Sequence, residues 1–97
     1  MNMASKGNRG LHVATVAHAS RIWDAYLDLD DDPHRPEVYR GRIRFEIAGE
    51  EGFHEAPRTT VIIIEESYEA AVAKARAFDD RALQGLLRSC LPGGEGG

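Results

Sequence analysis

The stretch "VYRGRIRFEI", residues 38–47, puts Arg40, Arg42 and Arg44 at every second position, with Tyr39, Gly41, Ile43, Phe45 and Ile47 between them. Successive side chains of an extended strand point to opposite faces, so this spacing predicts a strand with a charged face and an apolar face. The fold then turns on what answers three guanidinium groups aimed in one direction. Either an acidic ligand such as a nucleic acid does so, or a row of carboxylates in the same chain.

The segment before it, "RIWDAYLDLDDD" (residues 21–32), offers such a row. As a helix it groups Ile22, Trp23, Tyr26 and Leu27; as a strand it groups Trp23, Ala25, Leu27 and Leu29 against Asp24, Tyr26 and Asp28. An antiparallel hairpin closed by the loop "DDPHRPE" sets Asp28 opposite Arg40, Tyr26 opposite Arg42 and Asp24 opposite Arg44. Trp23 then meets Phe45, and Leu27 meets Gly41, on the inner side. Charge and bulk agree on this register, and the agreement favours the strand.

Downstream, "RTTVIIIEE" (residues 58–66) is a β-branched run after Pro57 and predicts a third strand. It follows the glycine-containing loop "AGEEGFHEAP". Residues 67–91 carry Tyr68, Val72, Ala75, Ala82, Leu86 and Cys90 at helical spacing, widened by Leu83 and Leu87. Ser67 is the expected N-cap, and Asp79 or Asp80 could open a second helix, so one helix and a bent pair both fit. The leading segment "LHVATVAHA" fits a strand extension, a further edge strand or a short helix. The expected architecture is α+β: a three-stranded antiparallel meander covered on one face by a C-terminal helix or bent helix pair.

The chain has 97 residues, the length of one domain. Residues 1–10 are polar and 92–97 glycine-rich; both read as disordered tails, leaving residues 11–91 for the core. A core of this size leaves little room for a deeply enclosed active site. Sixteen acidic against twelve basic side chains give a net charge of −4, which argues against duplex DNA binding driven by counterion release. The single cysteine, Cys90, excludes an intrachain disulfide and suits a reducing cytoplasm. No apolar stretch has the length of a membrane span or the form of a signal sequence.

Specific chemistries fail one by one. Asp28, Asp30 and Asp32 match the start of a calcium-binding loop, but Pro33 stands where a glycine must turn and Tyr39 where a glutamate must close the site. His12, His18, His34 and His54 are scattered, without the spacing of a zinc site. Cys90 lies in the apolar stripe, where a thiolate is disfavoured. No phosphate-binding glycine loop or nucleophile elbow occurs. The expectation is a non-enzymatic protein with no cofactor and no metal.

Two functions remain. One is a small interaction module, most simply a homodimer, using the outer sheet face or a sheet edge; its candidate residues are Tyr26, Arg40, Arg42, Arg44, Val61 and Ile63. This choice rests on the run Val61–Ile64, of which a covering helix can bury only one face. The alternative is an RNA or single-stranded nucleic-acid binder using Arg40, Arg42 and Arg44. Three strands followed by a helix resemble half of a double-stranded RNA-binding domain. That family opens its last helix with lysines, however, where this chain has "EESYEAAVAK".

Overall fold

The computed structural model describes residues 10–30, 34, 37–50 and 56–91. The fold is α+β: a four-stranded antiparallel sheet in the order β1 (Leu11–His18), β2 (Arg21–Asp30), β3 (Tyr39–Ile47), β4 (Ile63–Glu65), followed by α1 (Tyr68–Arg76) and α2 (Asp80–Cys90). It has one more strand than the meander expected from sequence. Of the expected tails at residues 1–10 and 92–97, residues 1–9 and 92–97 lie outside the described residues, while Gly10 is packed against β2 and β3.

The additional strand is "LHVATVAH". It joins β2 through a two-residue turn, with His18 paired to Arg21 and both Ala19 (φ 56°) and Ser20 (φ 65°) in the left-handed region. Two-residue hairpins favour that geometry, but glycine and asparagine normally supply it. Within β1 the register shifts between His12 and Ala14, leaving Val13 as a bulge. The extra residue changes which positions share a face. Leu11 pairs with Leu27, while Ala14 pairs with Ala25 and Val16 with Trp23.

The β2–β3 hairpin has the expected faces but a different register. Trp23 pairs with Ile47, Ala25 with Phe45, Leu27 with Ile43 and Leu29 with Gly41; outside, Asp24 pairs with Glu46, Tyr26 with Arg44, Asp28 with Arg42 and Asp30 with Arg40. Every pair is two residues from the sequence-based register. A two-residue slip keeps each side chain on its face, so packing volume decides. Ala25, the smallest inner residue of β2, sits opposite Phe45, and a Cβ on Gly41 would lie 2.7 Å from Leu27 Cδ1 and 3.1 Å from Leu29 Cδ2.

The third expected strand is shorter than residues 58–66. Gly41 pairs with Ile63, yet Arg44 bridges to Arg58, so five steps on one chain match three on the other. Thr59 fills the break. Its hydroxyl accepts from the Ile43 amide at 3.1 Å and donates to Thr60 O at 2.6 Å, while its own amide donates to Ile43 O.

The inner face carries Val16, Trp23, Ala25, Leu27, Ile43, Phe45 and Ile63, buried against Ala71 and Ala75 of α1 and Leu83 and Leu87 of α2. Alanines on α1 let its axis approach the sheet closely. The helix pair is the bent alternative: Ser67 caps α1 by accepting from the Ala70 amide, and Asp79 caps α2 by accepting from the Ala82 amide at 2.8 Å. The break at Ala77–Asp79 separates the apolar stripes of the two helices, and Tyr68, the first residue of α1, is exposed rather than in the core.

Candidate interaction face

The helices cover the inner face, so the chemistry of the outer face is set by the even-numbered positions of β2 and β3. Tyr26, Arg40, Arg42 and Arg44 are all there, as the alternation requires. Arg44 is the centre of a network. Its Nε donates to Asp28 Oδ2 at 2.7 Å, Nη2 to Asp28 Oδ1 at 3.2 Å, and Nη1 to Glu46. Its guanidinium carbon stands 4.6 Å from the centre of the Tyr26 ring, a cation–π contact.

The network continues toward β1. The His12 ring meets Tyr26 edge-on at 5.4 Å, and its Nε2 lies 2.9 Å from Asp24 Oδ1, which also accepts from Thr15 at 3.2 Å. Asp24, expected to face Arg44, is thus held by β1 instead. Arg42 donates to Asp30 at 2.9 Å. Carboxylates of the same sheet therefore engage two of the three arginines, in diagonal rather than direct pairs.

Gly10, at φ +87°, closes over part of this face. A Cβ there would collide with the Asp28 carboxylate and lie 2.9 Å from Leu27 O and 3.1 Å from Arg44 Nη2, so only glycine lets the chain cross the pair. The Arg44 side chain is accordingly only 13 % exposed. Among the described residues, the open part of the outer face is the β4 side, where Asp30, Arg40 and Ile64 follow one another across β2, β3 and β4.

On β4 the structure corrects the choice of apolar residues. Ile63 is fully buried in the core opposite Gly41, and Val61 is half-buried; the exposed members are Ile62 (38 %) and Ile64 (57 %). Four consecutive branched residues contain no polar position to fix the phase, so the sequence divides them into alternating pairs without saying which pair faces out. Gly41 is the missing reference, because its inward position fixes Ile63 as inward too.

The two edges differ. On β1, Gln84 Nε2 donates to Ala17 O at 3.0 Å and Arg76 Nη2 lies 3.5 Å from His12 O, so helix side chains occupy edge carbonyls. On β4, residues Gly41, Ile43 and Phe45 turn their backbone groups toward the residue 57–62 segment, which makes Arg40–Ile64 the pair without mutual hydrogen bonds. The N–H and C=O of Ile64 consequently project from the free edge.

Elsewhere, Cys90 is a free, half-buried thiol whose pKa is raised by desolvation, partly offset by a hydrogen bond with Ser89. Asp28 and Asp30, the described part of the calcium-like motif, are bonded to arginines; Asp32 and Pro33 lie outside the described residues, as does His54. Among the described residues, no three His, Cys, Asp or Glu side chains form a potential metal cluster, and no helix is long and apolar enough to cross a membrane.

Compared with protein-family models, curated proteins and solved structures, the chain matches none.

Proposed function

We propose that the domain is a small non-enzymatic interaction module that self-associates through the β4 side of its outer sheet face. The observation that carries this reading is the exposure of Ile62 and Ile64 beside Arg40, on the opposite side of β4 from the buried Ile63. Branched apolar side chains on an open edge gain by leaving water, and a second copy supplies the same surface in return. The alternative, nucleic acid on the arginine row, has less support. Arg42 and Arg44 already bond to Asp30, Asp28 and Glu46, so a phosphate must displace a carboxylate and then lie beside it.

Sedimentation equilibrium of the wild type and two single variants tests this. The wild type is expected to form a dimer whose stability changes little with salt. Ile64→Lys is expected to give a folded monomer, because a lysine in the interface must lose its water or separate the subunits. Ile63→Lys, in the core, is expected to unfold the chain. A wild-type monomer that retards mixed RNA in a gel, with affinity falling steeply with salt, would replace this reading with the nucleic-acid one.

A further inference from the structure

We propose that the groove along β4 accepts an extended basic peptide, added to the sheet as a further strand. This rests on the preceding reading that the β4 side is the contact surface, and names a second occupant for it.

Three observations converge on the groove. First, the backbone N–H and C=O of Ile64 face away from β3, and no hydrogen bond to them is found among the described residues; on the β1 edge the Ala17 and His12 carbonyls accept from Gln84 and Arg76. Main-chain pairing at such an edge is how extended peptides are commonly held. Second, the edge borders an open groove of about 610 Å³ between β4 and the first turn of α1, lined by Val38, Ile64, Glu65, Glu66, Ser67 and Ala70. Val38, Ile64 and Ala70 give it apolar wall. Third, its charge is one-sided. Glu65 is answered by Lys74 at 3.5 Å, but Glu66 forms no ion pair among the described residues, and neither do the exposed neighbours Glu37 and Glu69.

Alternate side chains of an added strand point in opposite directions. A peptide alternating lysine with valine can therefore turn one set toward the apolar wall and the other toward the carboxylates. The short β4 offers few main-chain bonds, so affinity is modest, with Kd on the order of 0.1–1 mM.

The test is an NMR titration of the ¹⁵N-labelled full chain with three capped pentapeptides: Lys-Val-Lys-Val-Lys, Glu-Val-Glu-Val-Glu and Lys-Val-Pro-Val-Lys. The first is expected to shift the amides of Ile64, Glu66 and Ala70 saturably. The acidic peptide is expected to leave them in place. The proline peptide, and the Glu66→Lys variant with unchanged far-UV circular dichroism, are expected to bind at least about fivefold more weakly, the first through loss of a main-chain donor together with a lysine, the second through loss of a carboxylate. Equal response to the acidic or proline peptide, shifts centred on Arg42 and Arg44, or no shift at about 2 mM peptide overturns the proposal. Sedimentation of the same samples separates the two readings. A monomer with saturable shifts refutes self-association alone, and a dimer without shifts refutes peptide binding alone.

Discussion

Asp28 stands opposite Arg42 in the β2–β3 ladder, yet its carboxylate is held by Arg44, two residues further along β3, through two hydrogen bonds of 2.7 and 3.2 Å. The diagonal reach leaves Arg42 to Asp30 and places the Arg44 guanidinium over Tyr26. A double-mutant cycle with Asp28→Ala and Arg44→Ala is expected to show coupling of about 1 kcal/mol by urea denaturation, since the pair is partly buried and doubly bonded. The cycle of Asp28→Ala with Arg40→Ala is expected to give a value near zero. Coupling to Arg40 instead would restore the register shifted by two residues.

The two glycines in regular elements should respond to alanine with opposite signs. At Gly41 the added methyl meets Leu27 and Leu29 in the core, so Gly41→Ala should destabilise by about 1–3 kcal/mol. At Gly85, inside α2, the nearest atom is Arg88 Nη2 at 3.9 Å, the end of a flexible side chain. Gly85→Ala should stabilise by about 0.5–1 kcal/mol through helix propensity. Thermal melts of both variants decide this, and a stabilised Gly41→Ala would contradict the close packing over β3.

Ala19 and Ser20 hold left-handed conformations without the residues that normally adopt them. Ser20→Gly is expected to raise stability by about 1 kcal/mol, because relief of the side-chain strain outweighs the added freedom of the unfolded chain. A lower denaturation midpoint for this variant would show that the turn gains from its side chain.

Thr59→Val keeps the shape of the side chain but removes the acceptor for the buried Ile43 amide. The expected loss is about 1–3 kcal/mol, the cost of an unsatisfied buried donor. Hydrogen exchange of the Ile43 amide should accelerate by more than that of its neighbours, and an unchanged rate would mean that another group satisfies the amide.

The parts of the fold legible from sequence are those in which alternation and capping act locally. The faces of β2 and β3 followed from period-two patterning, and Asp79 marked a possible second helix. The parts that were not legible depend on contacts between distant residues. Val13 breaks the parity of β1, and "HASR" lacks the Gly, Asn or Asp that usually marks a two-residue hairpin, so an edge strand is only one of three readings of this segment. β4 is shorter than its β-branched run because Thr59 replaces a ladder bond with its side chain, which β-propensity does not register. Among the candidate residues, the outward placement of Tyr26, Arg40, Arg42 and Arg44 follows from alternation, whereas that of Ile62 and Ile64 does not, for lack of a phase marker.

The two-residue relation between the sequence-based and observed β2–β3 registers has a kinetic meaning. In both alignments Trp23, Ala25 and Leu27 face inward, and acids lie beside arginines, so an isolated hairpin has two nearly degenerate ways to close. What separates them is the fit of Leu27 and Leu29 over Gly41 and of Ala25 against Phe45, and that fit gains its full weight only when the helices press on the inner face. Choice of alignment therefore belongs to the late, collapsing stage of folding. A hairpin formed early in the shifted alignment must reopen before the helices can dock, so α1 and α2 serve as proofreaders of a pairing they do not take part in.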